Sequence, residues 1–170
     1  MKLLTAAMED YLELILTLKE QNKVVRVRDI AKGMNVKMPS VTSMLNNLAK
    51  NKLIKHEKYE YVELTPQGSK LAKETARKHT ILFEFLRDVL KVDPPQADAD
   101  ACQMEHAVSP TTIGKLVDFI EFVEFCPRAG SDWLEYFKTY CQGEISPEKC
   151  SKHMEKFIAK FNNEMEKVDC

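Results

Sequence analysis

Cys102, Glu105 and His106 stand at spacing i, i+3, i+4 in the run ACQMEHAVS, so on a helix their side chains share one face. A thiolate, a carboxylate and an imidazole converging in this way are good ligands for a first-row divalent cation. Asp10 and Glu13 repeat the i, i+3 spacing near the N-terminus, and His79 stands in ARKHTILFEFL. No single helix can complete an octahedral shell, so an ion shared by these side chains would pin three helices together. The same Cys-x-x-Glu-His run also suits an ordinary helix, with Cys102 in the core and Glu105 in water. Spacing alone leaves both readings open.

The elements that must carry these residues are mostly helical. Few Gly and Pro (5 and 7 in 170 residues) beside abundant Lys, Glu, Leu, Ala and Met favour helix over a β sandwich. Residues 5–21 place Tyr11, Leu12, Ile15, Leu16 and Leu18 near helical spacing, with Thr5 as N-cap and Asn22 as stop. A short second helix spans 27–34, closed by Gly33 and Asn35. A third spans 38–51, with Pro39 in its first turn. Leu53-Ile54 and the alternation through Tyr59, Tyr61, Val62 and Leu64 predict two short strands around a charged turn. Thr65-Pro66-Gln67-Gly68 then opens a long helix from about Ser69 to Leu90.

VDPPQADAD (92–100) reads as a loop and a domain boundary. Helices follow at 99–107, 110–125, about 130–141 and 146–167. The order helix, helix, helix, hairpin, helix is that of a winged helix-turn-helix. The fold class is mainly α: a winged helix-turn-helix domain at 1–70, a helical dimerisation and metal-binding domain at 71–125, and a helical extension at 126–170.

Charge distribution sharpens the reading. The whole chain carries a net charge of −1, yet residues 23–60 hold nine Lys and Arg against three acids. A basic segment inside a near-neutral chain suits phosphate contacts, and it also suits a merely solvated face. In a winged helix-turn-helix the third helix enters the major groove with its early residues on base edges. Pro39, Ser40, Thr42, Ser43, Asn46 and Asn47 occupy that helix, bracketed by Lys37 and Lys50. Arg26 and Arg28 open the second helix, and Lys55 and Lys58 fall on the wing. The ordered elements fit one docking geometry on double-stranded DNA, which charge by itself does not.

Other classes are disfavoured. No Gly-rich phosphate loop and no nucleophile paired with a base is visible, so an enzyme is not expected. No window approaches the roughly 20 apolar residues of a membrane span. Lys2 and Leu3-Leu4 begin like a secretion signal, but Glu9, Asp10 and Glu13 interrupt it. A cytoplasmic setting is expected, where five cysteines are thiols or ligands rather than a disulfide frame.

Several ordered stretches resemble the metal-dependent repressors related to the diphtheria toxin repressor and the manganese transport regulator. They are AMEDYLELI, IAKGMNVKMPSVTSMLNNLAKNKLI, LTPQGSKLA, ARKHTILFEFL and ACQMEHAVS, together spanning roughly residues 5–125. The resemblance implies a homodimeric repressor whose DNA binding needs a metal. It also implies that Asp10, His79, Cys102, Glu105 and His106 are ligands, with Glu13 a ligand of the manganese branch. The set is a hybrid: Asp10 is the manganese-type choice and Cys102 the iron-type choice. A thiolate tilts the expectation to Fe(II) first and Mn(II) second. Phe83 replaces a carboxylate of the iron branch's ancillary site, whereas Asp98 occupies another ancillary position. The family's SH3-like third domain does not fit the residues that remain, which read as helical.

Beyond residue 125 the resemblance ends. Cys126, Cys141, Cys150 and His153 could hold a further soft-ligand metal, or Trp133, Tyr136, Phe137 and Tyr140 could pack a helical hairpin. The expected mechanism is that metal fixes the reader on the dimer, with two recognition helices about 34 Å apart. The apolar faces of 81–90 and 112–125 suit the dimer interface. The alternative is a metal-independent winged-helix regulator responding to thiol redox state or a small ligand.

Overall fold

The computed structural model describes residues 4–21, 24–56, 61–125 and 130–143, together with 148, 151, 152, 154–159 and 162. Its elements are α1 (Ala6–Gln21), α2 (Val27–Gly33), α3 (Met38–Lys50), β1 (Ile54–Lys55), β2 (Glu63–Leu64), α4 (Pro66–Glu84), α5 (Pro94–Met104), α6 (Pro110–Phe125) and α7 (Gly130–Cys141). A π-helical turn, Phe85–Val89, continues from α4. The mainly helical class and the winged helix-turn-helix order are as expected from the sequence. The residues pack as two compact units, Met1–Leu82 with Asp98–Val108, and Phe83–Ala97 with Ser109–Cys170.

In the first unit, the apolar stripes of three short helices meet in one core. Leu12 and Ile15 of α1, Ile30 of α2, and Val41, Leu45 and Leu48 of α3 are all fully buried there. Helices this short are marginal alone, and burial of the shared face is what holds them. Thr5 caps α1 as expected, its hydroxyl accepting from the Met8 amide at 3.4 Å. Gly33 does not close α2 by unusual backbone: the left-handed residue is Asn35, at φ 53°. Gly33 packs beside α1, where a Cβ would lie 2.8 Å from Leu14 Cδ2, the end of a side chain that can turn aside.

The wing is a two-stranded antiparallel ladder with Ile54 opposite Leu64 and Lys55 opposite Glu63. The Val62 amide donates to the Val25 carbonyl at 3.0 Å, which ties the return strand to the start of α2. Lys58 and Tyr59 lie outside the described residues. Thr65 joins wing to helix: its hydroxyl donates toward the Lys52 and Leu53 carbonyls (2.9 and 3.0 Å) and accepts from the Gly68 amide at 3.1 Å. That cap starts α4 at Pro66, three residues before the expected Ser69, because proline costs no hydrogen bond in a first turn.

The segment 92–100 is a correction. It is not a loop throughout, because α5 begins at Pro94. Pro94 and Pro95 occupy first-turn positions where amide donors are unused, and Ala97 N–H closes the first helical bond onto the Asp93 carbonyl at 2.8 Å. Asp98 and Cys102 therefore share one helix, one turn apart. The helix ends at Met104 rather than 107, although the Glu105 amide still reaches the Ala101 carbonyl at 3.0 Å.

In the second unit, Leu86, Val89, Ile113 and Val123 are buried, and the Phe85 and Phe119 rings meet edge to face with centroids 6.1 Å apart. Ser109 caps α6, accepting from the Thr112 amide at 3.2 Å. Phe119 and Phe122 stay exposed on α6, at 41% and 60%. Cys141 is an exposed free thiol, whereas Cys126, Cys150 and His153 lie outside the described residues.

Candidate metal centre and nucleic-acid interface

Three segments of the first unit bring the sequence-selected ligands together. Helix α1 contributes Asp10 and Glu13, α4 contributes His79, and the end of α5 with its following turn contributes Cys102, Glu105 and His106. Ligand atoms of Asp10, Cys102 and Glu105 all lie within 4.8 Å of one another. His106 Nε2 is 2.8 Å from Asp10 Oδ1 and 3.4 Å from Glu105 Oε1. His79 Nδ1 is 2.9 Å from Glu105 Oε2, and its Nε2 is 3.3 Å from Asp98 Oδ1.

Glu105 is the centre of the cluster. Its side chain is fully buried, and its Oε1 makes no hydrogen bond among the described residues, with His106 Nε2 standing off at 3.4 Å. An unsatisfied buried carboxylate oxygen is costly without a cation beside it. Burial first, and then the charge of Glu13, push the Glu105 carboxyl up to about 8. Burial likewise raises Glu13, against the lowering pull of His79. For His106, burial opposes the charged ring, but the Glu9 hydrogen bond and the charges of Asp10 and Glu105 outweigh it and raise the pKa. Burial and the surrounding acids also raise Cys102. Clustered acids that repel one another around an unsatisfied oxygen fit a divalent cation, and the donors are of the right kind to hold one.

Two contributors were not singled out from the sequence. Glu9 Oε2 lies 2.6 Å from His106 Nδ1, and Lys78 Nζ donates to the Glu105 carbonyl at 3.1 Å. The i, i+4 spacing of Glu9 and Glu13 was the available signal for the first. Nothing in the local sequence signals the second.

The reader's surface is built on α3. Pro39, Ser40, Ser43, Asn46, Asn47 and Lys50 line one open concave surface with Met44. Val41, Leu45 and Leu48 turn the other way into the core. Thr42 is exposed and gives its hydroxyl proton to the Met38 carbonyl at 3.1 Å, leaving its lone pairs outward. Asn47 Oδ1 accepts from Asn51 Nδ2 at 3.1 Å. Lys37 and Arg28 are exposed, and Arg28 lies 3.5 Å from Asp29. The Arg26 guanidinium stands 5.8 Å from the centre of the Tyr61 ring, next to the wing.

The chain matches known proteins along both parts. Residues 3–62 match the family "Iron dependent repressor, N-terminal DNA binding domain", and residues 65–134 match "Iron dependent repressor, metal binding and dimerisation domain". It is 38% identical over 120 residues to the HTH-type transcriptional regulator MntR of Bacillus pumilus (strain SAFR-032), covering 71% of this chain and 83% of that protein. Against MntR of Listeria monocytogenes serotype 4a (strain HCC23) the identity is 37% over 125 residues, covering 74% and 87%. Among solved structures, the manganese regulator SloR superposes with a TM-score of 0.62 at 30% identity, covering 71% of this chain. A manganese-dependent transcriptional repressor in complex with manganese superposes with a TM-score of 0.62 at 26% identity. The chain spans a little over half the length, 56%, of each of these two solved regulators. This chain belongs to the diphtheria toxin repressor and manganese transport regulator family of metal-dependent, DNA-binding transcriptional repressors, which are regulators and not enzymes.

Proposed function

We propose that this protein represses transcription of metal-homeostasis genes when a divalent cation occupies the cluster of Asp10, Glu13, His79, Cys102, Glu105 and His106. The observation that carries the reading is the fully buried Glu105 carboxyl among donors from α1, α4 and the end of α5 with its following turn. A bound divalent cation supplies positive charge that offsets the mutual repulsion of these acids. The residues do the rest: Asp10 and Glu13 draw α1 toward α4 and the turn after α5, and α1 carries Leu12 and Ile15 into the reader's core. Side chains that engage the ion only in the DNA-competent arrangement favour that arrangement by mass action, by about 2.7 kcal/mol at a hundredfold excess over the dissociation constant.

Manganese is the proposed co-repressor, ahead of iron, which reverses the order expected from Cys102. Carboxylates outnumber the single thiol in the cluster, hard oxygen donors suit Mn(II), and the relatives named MntR and SloR point the same way. The proposed partners are a double-stranded DNA operator and a second copy of the chain. On this reading residues 1–70 read DNA, 71–125 dimerise and hold metal, and 126–170 form an extension. Arg26, Arg28, Lys37 and Lys50 would meet phosphates, while Pro39, Ser40, Thr42, Ser43, Asn46 and Asn47 face bases. The exposed Phe119 and Phe122 supply apolar surface for dimerisation. No helix among the described residues is long and apolar enough to cross a membrane, and a cytoplasmic site of action follows from the role.

The test is fluorescence anisotropy on promoter DNA from the source genome, run anaerobically with Mn(II), Fe(II), Zn(II) or chelator. DNA binding that requires Mn(II) is the expected result. Equal affinity in chelator would overturn it.

A further inference from the structure

We propose that Glu9 is the positioning residue of the metal centre: it holds the proton on His106 Nδ1 and so aims Nε2 at the cluster. The inference rests on the reading of His106 as a metal ligand. Glu9 Oε2 sits 2.6 Å from Nδ1, while Nε2 on the far side of the ring is 2.8 Å from Asp10 and 3.4 Å from Glu105. Carboxylates face both ring nitrogens, Glu9 at Nδ1 and Asp10 at Nε2; with Asp10 engaged by a cation, a neutral ring would keep its one proton on Nδ1 against Glu9 and offer the Nε2 lone pair. Carboxylates commonly fix the rings of metal-bound histidines in this way, setting the tautomer and raising ligand basicity.

The placement has a helical cause. Glu9 neighbours Asp10 and lies one turn before Glu13, so all three project from one side of α1. Asp10 meets the Nε2 edge of His106 and Glu9 meets the Nδ1 edge, so two successive residues of α1 clamp one ring. The contact is sheltered, with the His106 side chain 12% exposed and that of Glu9 23%. Shelter strengthens a charge-assisted hydrogen bond relative to one in open water. Glu9 also tethers α1 to the turn after α5 across 97 positions of sequence.

The experiment measures Mn(II) affinity of the full chain by chelator competition for the wild type, Glu9→Ala, Glu9→Gln and His106→Ala. Glu9→Ala is expected to weaken Mn(II) binding by about 10–100-fold with unchanged stoichiometry. Glu9→Gln, whose amide oxygen still accepts from Nδ1–H, should recover part of the loss. In the Zn(II)-loaded wild type, long-range 1H–15N correlations of the histidine rings should show the His106 proton on Nδ1, a reading that needs no variant. Wild-type Mn(II) affinity in Glu9→Ala, with His106→Ala impaired, would overturn the proposal while leaving the metal centre intact. Loss of a bound Mn(II) equivalent in Glu9→Ala would overturn it too, because Glu9 would then be a ligand. Wild-type affinity in His106→Ala would overturn the underlying reading instead.

Discussion

His79 Nδ1 lies 2.9 Å from Glu105 Oε2, although they stand 26 positions apart, one on α4 and the other in the turn after α5. The contact joins the helix that leaves the wing to the turn after α5, and it leaves Glu105 Oε1 on the side of His106, whose Nε2 is 3.4 Å away. A buried acid hydrogen-bonded on one oxygen and only approached by a ring nitrogen on the other is the feature from which the first predictions follow.

Glu105→Ala should abolish metal-dependent DNA binding in the anisotropy titration. Glu105→Gln should do the same while keeping the fold, because the amide is nearly isosteric but a poor ligand. Glu105→Gln, which keeps the volume, should also raise the metal-free melting temperature at pH 8, since no charge must then form inside the protein. Retained metal response in either variant would remove Glu105 from the centre.

The metal-free protein should lose stability as pH rises from about 5 to about 8. Glu105 has a folded pKa of about 8 against an unfolded value of 4.5, so within that window the folded state binds the extra proton. Stability then falls with rising pH, and the raised values of Glu13 and His106 act in the same direction. Thermal melts in chelator across this range read the effect directly. Saturating Mn(II) should flatten the profile, and calorimetry in buffers of different ionisation enthalpy should detect protons released on binding at pH 7.

On the reader, Lys50→Ala and Asn46→Ala should separate. Lys50 is exposed at the end of α3, so its loss should weaken binding to all sequences and lower the salt dependence by about one counterion. Asn46 stands mid-helix on the concave surface, so its loss should cost about 1–3 kcal/mol on the cognate operator and relax discrimination at one base pair. Salt titrations on cognate and scrambled DNA distinguish the two.

Gly68→Ala should destabilise the reader by about 1–3 kcal/mol, because a Cβ there would stand 1.9 Å from the Leu53 carbonyl oxygen, a backbone atom that cannot rotate away. Leu45→Ala, at a fully buried position of α3, should cost about 2–5 kcal/mol. Urea melts in chelator measure both, free of any contribution from bound metal.

Short-range order is encoded locally along this chain. Apolar residues recurring at 3.6-residue spacing marked α1 and α3, Thr5 and the Ser109-Pro110 pair marked helix starts, and the order of elements gave a winged helix-turn-helix. These features are local: each depends on the residues within one or two turns. The types and spacing of Cys102, Glu105 and His106 were legible for the same reason. What meets across distant segments is legible only in the folded chain. The fold places Gly33 beside Leu14, Asp98 on a helix with Cys102, and Glu9 and Asp10 at opposite edges of His106. It also sets the full burial of Glu105 among side chains of α1 and α4, a property that no window around residue 105 encodes. Burial and ion pairing arise between chain segments, and only the folded chain brings those segments within reach.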